Sequence, residues 1–236
     1  MRQIIFLLLI SSIASGQSLG RYPFAHARPI SSPGYDYTAL VHWYPLIANY
    51  NDVKGTDHGT NNGTYQADSL INSVVATYFN EAEDDYVALG TGTNHGSSTF
   101  SAFGTCRAHS RTGNDGMYVG GAGSAALVIN SSGNPALIVV GGNYATSSLV
   151  VPLGLESFVG WSYAQDRNKI RFYVNGNTDV VDFSDTFSAV SNGIGGISTS
   201  YNWDGLWQNV TIWNDSLTEA DFDYYYNSGD FKGYEE

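Results

Sequence analysis

One cysteine, Cys106, is all that the 236 residues provide, so no disulfide can form within the chain and its core alone must hold the fold. Basic residues are scarce as well: 10 Lys and Arg stand against 22 Asp and Glu, for a formal net charge of −12. Nucleic-acid binding needs clustered cations to neutralise phosphates, so this balance argues against it, and against attraction to anionic membrane surfaces. Charged residues of both signs make up only 14% of the chain, and Gly alone numbers 27. The polar surface must therefore be mostly uncharged Ser, Thr and Asn, which suits a turn-rich extracellular β protein. Long hydrophobic runs are missing too. No apolar stretch, Ile4 to Ile10 included, approaches the roughly 18 residues that span a bilayer as a helix. The histidines, at positions 26, 42, 58, 95 and 109, have no zinc-like spacing, and no Gly-x-Ser-x-Gly, phosphate loop or nucleophile triad stands out.

What is present begins with a targeting pattern. Met1-Arg2-Gln3 is a basic start, Ile4 to Ile10 an apolar run and Ala14-Ser15-Gly16 a small-x-small site, so residues 1–16 read as a secretory signal peptide cut after Gly16. The mature protein is then expected to be secreted and extracellular. Residues 17–39 carry Pro23, Pro29 and Pro33 with no periodicity, as an extended arm would. Its aromatics Tyr22, Phe24, Tyr35 and Tyr37 suit pockets on this or a neighbouring copy, which makes the arm a candidate for self-association.

From residue 40 onward the signal is short strands separated by turns. Ile170, Phe172 and Val174 alternate with Arg171 and Tyr173, and Asn175-Gly176 then tolerates the positive φ of a tight hairpin. Phe158 to Ala164 reads as the preceding strand. Others are expected at Leu40 to Leu46, Ser73 to Phe79, Asp85 to Leu89, the segment from Phe100 to Cys106, Tyr118 to Gly120, Ala126 to Ile129, Ala136 to Val140, Ser148 to Val151, Ile194 to Ile197 and Gly205 to Asn214. No βαβ rhythm appears, so the fold class is an all-β, two-sheet antiparallel sandwich. Cys106, in register with Phe100 and Ala102, is expected to be a buried thiol. One short C-terminal helix starts at Thr218, which caps it, with Phe222, Tyr225 and Tyr226 on one face and Gly229 as the expected C-terminal cap. Residues 230–236 form a polar tail.

The order of a Trp161 strand, the Phe172-Tyr173-Val174-Asn175-Gly176 hairpin, Ile194-Gly195-Gly196, the Gly205 to Asn214 strand and the Leu217 to Phe222 helix resembles the laminin-G-like jelly rolls of the concanavalin A-like lectin/glucanase superfamily. Leu40 to Leu46, Asn62-Gly63-Thr64 and Phe79-Asn80 to Leu89 extend the resemblance over most of residues 40–229. It implies a jelly roll and a carbohydrate-binding or adhesion role. It also implies calcium, held between the loop after the first strand and acidic residues on a late strand. Here the loop offers Asp52, Asp57 and Asn61, but Gln208 and Asn209 replace the late acids, so a weak site or none is expected.

Four sequons, at Asn62, Asn130, Asn209 and Asn214, are candidate N-glycan positions. By alternation Trp207, Asn209, Thr211 and Trp213 share one strand face and Leu206, Gln208, Val210 and Ile212 the other, the aliphatic set being expected inside. Tyr201, Trp203, Trp207 and Trp213 are then candidates for an aromatic ligand-binding platform on which sugar rings stack; in the alternative, loops, the helix or the arm cover these rings. Glu81, Glu83 and Asp85 are the one constellation suggesting a glycoside hydrolase, which as a retaining enzyme needs carboxyls about 5–5.5 Å apart. They sit where laminarinase-type relatives carry Glu-x-Asp-x-Glu, with Glu and Asp interchanged at two positions, so a catalytic role is not expected. The favoured reading is a secreted, non-catalytic module for extracellular glycans or glycoproteins. The rival is a self-assembling subunit of an extracellular filament, coat or matrix.

Overall fold

The alternation read in the sequence takes shape as fifteen strands among the described residues: β1 (Leu40–Tyr44), β2 (Thr60–Asn62), β3 (Tyr65–Ile71), β4 (Val74–Phe79), β5 (Tyr86–Asn94), β6 (Thr99–Ala108), β7 (Asp115–Gly120), β8 (Ala125–Ile129), β9 (Pro135–Val139), β10 (Tyr144–Thr146), β11 (Ser157–Ala164), β12 (Lys169–Val174), β13 (Asn177–Asp182), β14 (Val190–Ile194) and β15 (Gly205–Trp213). The computed structural model describes residues 39–230 apart from 48, 72–73, 95–98, 114, 121–124, 140–143, 165–166, 185–189 and 197–201. The expected signal peptide, nearly all of the arm and most of the tail lie outside the described residues, as does Tyr201. No helix among the described residues is long and apolar enough to cross a membrane.

Two antiparallel sheets form a sandwich. The first runs β13-β12-β11-β6-β15-β4-β3, with β1 also paired to β15; the second runs β10-β9-β8-β7-β14-β5-β2. Between them lies the main core, where Ile170, Phe172 and Val174 of β12 meet Trp161, Leu127, Leu137, Trp203 and Trp207. The β12–β13 hairpin turns at Asn175 (φ 48°) and Gly176 (φ 83°), the paired positive angles of a type I′ turn. Cys106 is fully buried as expected, and burial pushes its thiol far above the ordinary range.

A second apolar layer covers the outer face of the first sheet. Phe158 and Tyr173 point away from the main core and, with Phe103 and Trp213, receive α1 (Glu219–Tyr226). Thr218 caps this helix in a reciprocal box with Asp221, while Phe222 and Tyr225 are its buried side. Gly160 makes the approach possible, since a Cβ there would stand 2.5 Å from Phe222 Cε1. The C-terminal cap is Asn227 (φ 47°), not Gly229, because Asn reaches the left-handed region two positions earlier.

The strand β15 departs from simple alternation. Asn209 adopts φ 53° as the pairing with β6 slips between Gln208 and Thr211, a bulge that inverts the phase of the strand. On its other edge β15 changes partner at the same point, pairing with β4 through Trp207 and with β1 from Val210. Trp207, Val210 and Ile212 consequently all face the main core, whereas Leu206 packs outward on Ala76 and Trp213 lies under α1. The segment Ser148 to Val151, expected as a strand, is loop, and β10 precedes it.

Candidate functional site

Trp203 and Trp207 are 0% exposed, with ring centroids 5.0 Å apart inside the sandwich, and Trp213 is 2% exposed. Trp213 stacks on Phe103 (6.2 Å) and lies against Tyr225 (5.6 Å) of the helix. The three described members of the expected platform are therefore core residues. The bulge turns Trp207 inward, and the helix roofs over Trp213.

The calcium candidates do not converge either. Asp52 is buried, its Oδ1 accepting from the amides of Trp43 (3.0 Å), Lys54 (3.0 Å) and Gly55 (2.9 Å), and its Oδ2 lying 2.5 Å from His42 Nδ1. Burial raises this carboxyl, but those bonds together outweigh it and hold the pKa below the ordinary value. A carboxylate so committed pins the loop rather than offering lone pairs to a cation. The backbone carbonyl of Asp57 accepts from Tyr44 Oη (2.8 Å), and the Asn61 carboxamide is tied to Thr64 at both ends, Oδ1 accepting from Thr64 Oγ1 (2.6 Å) and Nδ2 donating to the Thr64 carbonyl (2.8 Å). Among the described residues no group of three His, Cys, Asp or Glu side chains could hold a metal.

Glu81–Glu83 forms a 3-10 turn, capped by Asn80 and closed by Asp84 at φ 57°. The carboxyls at 81, 83 and 85 thus do not project side by side from a strand. Glu81 accepts from Thr112, Glu83 is exposed, and Asp85 is 1% exposed beneath Gly63, whose missing Cβ leaves room for Asp85 Oδ1. Asp85 Oδ2 accepts from Asn80 N (3.0 Å), but Oδ1 is buried without a partner. Burial raises the Asp85 pKa, the Asn80 bond opposes it, and the charges of Glu83 and Asp84 raise it further. Of the sequons, Asn214 is exposed, whereas Asn62, Asn130 and Asn209 are half-buried.

A surface that the sequence did not single out stands on the outer face of the second sheet. Alternation in β8 and β9 sends Leu127, Ile129, Leu137 and Val139 into the main core and Ala126, Val128, Ala136 and Ile138 to the other face, where the first three form a separate buried cluster and Ile138 is half-buried. On the edge strand β10, Ala145 is inward, so Tyr144 and Thr146 stand opposite Ile138 and Ala136. Tyr144 is 74% exposed, the most open of the large hydrophobic side chains among the described residues. It flanks a cavity of about 330 Å³ lined by Asn130, Ala136, Ile138, Tyr144 and Thr146. The small side chain of Ala136 leaves room for the hollow. An open ring, an apolar floor, a hydroxyl and the Nδ2 amide of Asn130, whose Oδ1 already accepts from the amides of Ser132 (2.9 Å) and Asn134 (3.0 Å), are groups that can hold a flat ligand with one apolar face and a polar rim. A three-residue strand shows too little alternation for this to be read in advance.

The sequence matches no protein-family model and no curated protein. The fold, by contrast, matches many solved structures. Domain 4 of AbnA, an extracellular GH43 arabinanase from Geobacillus stearothermophilus, solved with arabinotriose, superposes with a TM-score of 0.63 at 15% identity, over 78% of this chain and 96% of that one. The fold is a lectin-like β-sandwich. The binding domain of Paraclostridial Mosquitocidal Protein 1 gives a TM-score of 0.64 at 13% identity, over 80% of this chain. Botulinum neurotoxin type C, which interacts with two ganglioside molecules, gives 0.61 at 14%, over 84%. This sandwich spans only about half of the last two chains, 52% and 53% respectively. Identities this low establish shared architecture and leave the site to be argued from its residues.

Proposed function

We propose that the chain is a secreted, non-catalytic carbohydrate-binding module of laminin-G-like type, which engages extracellular glycans or glycoproteins through the β8–β9–β10 face. The observation that carries this reading is Tyr144, an aromatic ring 74% exposed beside a polar-rimmed hollow. The hollow lies near the lower end of the roughly 300–1,000 Å³ range of small-molecule sites, enough for one or two sugar rings. The arabinotriose complex of the arabinanase domain and the ganglioside interaction of the neurotoxin support the same class of ligand. Absence of catalysis is supported by the separate surroundings of Glu81, Glu83 and Asp85, and secretion by the leader-like residues 1–16.

A glycan array followed by calorimetry on the best ligand tests the proposal. Tyr144→Ala should lower affinity about tenfold, the equivalent of one lost stacking contact, while leaving the urea midpoint unchanged because the ring buries so little. An array silent with the native protein, or a variant that binds as well as the native protein, would refute it.

A further inference from the structure

The chain has 10 basic residues in a molecule of net charge −12, yet three of them, Arg167, Lys169 and Arg171, line one small cavity on the outer face of the first sheet. Strand register explains the gathering. Ser162, Arg171 and Val180 face one another across β11, β12 and β13, and Ala164, Lys169 and Asp182 form the next row. Adjacent strands lie about 4.8 Å apart and same-face residues on one strand about 6.8 Å apart, so the two cations of β12 leave the sheet on one face in neighbouring rows. Arg167, from the loop joining β11 to β12, completes the lining.

The polar groups of this cavity are mostly donors. Arg171 Nη1 donates to the Leu217 carbonyl (3.0 Å), which fixes the guanidinium, while its Nε is buried without a partner. Ser162 and Ser216 share one hydrogen bond of 3.1 Å, so one of the two hydroxyl protons remains for another acceptor. Asp182, its side chain 85% exposed, is the carboxylate paired with Lys169, whose side chain is 47% exposed, so that pair is open to exchange with a ligand. The cavity holds about 80 Å³, space for a few water-sized atoms and not for a sugar ring. Val180, 47% exposed, provides an apolar shoulder at its edge.

We propose that this cavity receives the oxyanion of an acidic glycan, a carboxylate or a sulfate, with the sugar ring resting outside on Val180. The site is distinct from the Tyr144 face, and its test does not depend on that face being used. Because the molecule as a whole repels polyanions, retention of one must come from a local cluster.

Affinity chromatography and calorimetry at low ionic strength, with dextran sulfate, polygalacturonate and neutral dextran as probes, decide the matter. Binding of either polyanion, weakened by salt and absent with dextran, supports the proposal and assigns the oxyanion. Arg167→Gln/Lys169→Gln, at two exposed positions, should lower that binding at least about tenfold at an unchanged melting temperature, and Tyr144→Ala should leave it unaltered. Arg171→Lys, which keeps the charge but loses the forked donor geometry, should lower it as well. No retention of either polyanion, or equal retention by the double variant, would overturn the proposal, whatever the neutral-glycan array shows.

Discussion

Gly160 decides whether α1 can dock. Its missing side chain makes the socket into which Phe222 fits, and a Cβ would come within 2.5 Å of Cε1, 2.8 Å of Cδ1 and 3.1 Å of Cζ of that ring. The ring cannot simply swing aside, because Tyr173 stacks on it at 5.2 Å and Phe103 meets it edge-on at 6.3 Å. Gly160→Ala should therefore destabilise by about 1–3 kcal/mol, as overpacking does. Phe222→Ala should cost about 3–5 kcal/mol through lost burial and the cavity left behind. In the double variant the clash has no second partner, and the methyl group occupies space that the ring vacated. The alanine at 160 should then be neutral or stabilising by up to about 1 kcal/mol, since it also restricts the unfolded chain. The coupling between the sites is thus expected to be about 1–4 kcal/mol, with the double variant more stable than the sum of the single ones. Urea denaturation followed by tryptophan fluorescence is suited to the measurement, because Trp43 and Trp213 belong to the same buried cluster as Phe222. An equal penalty for Gly160→Ala in both backgrounds would refute this account of helix docking.

Trp207→Ala should lose about 3–5 kcal/mol of stability by urea denaturation, as a fully buried ring packed on Trp203 requires; a variant as stable as the native protein would return Trp207 to the surface. Two carboxylates should give opposite pH dependences. The Asp85 pKa is raised above its ordinary 3.8, so its contribution is complete below that value and is lost as pH rises through the folded value; Asp85→Asn is expected to raise the melting temperature at pH 7 and to gain nothing at pH 3. Asp52 is lowered, so its contribution is present above 3.8 and is lost as pH falls through the folded value; Asp52→Asn should destabilise at pH 7 and much less at pH 2.

Elements whose determinants are local were legible in the sequence. The β12–β13 hairpin follows from three alternating apolar residues and an Asn-Gly pair, and the helix from a Thr cap with apolar residues at i, i+3 and i+4. Short strands with little alternation were not legible: β2 takes its pairing from β5, remote in sequence, and β3 and β10, although paired with their chain neighbours β4 and β9, show no clear apolar period. The phase of β15 illustrates the limit. Alternation assigns Trp207 and Val210 to opposite faces, and only the unpredictable left-handed geometry at Asn209, where the partner strand changes from β4 to β1, puts them on the same one.

Misreading the aromatic platform has a cause deeper than one bulge. With no disulfide and few ion pairs to draw on, a sandwich of this size must obtain its stability from buried area, and tryptophan supplies the most per residue. All 5 tryptophans are accordingly at most 2% exposed. Surface aromatics then fall to tyrosine, whose hydroxyl keeps one end of the ring in water, and among the described residues Tyr65 (54% exposed) and Tyr144 (74%) are the aromatics that stand most open. Tyr65 leans on Tyr78 at 5.0 Å, and Tyr78 in turn donates to Asp204 (2.9 Å), so that ring is part of a packed group. Tyr144 instead borders a hollow lined by Ala136, Ile138, Asn130 and Thr146. The same demand for core area that consumed the tryptophans thus leaves this tyrosine as the open ring best placed to meet a sugar.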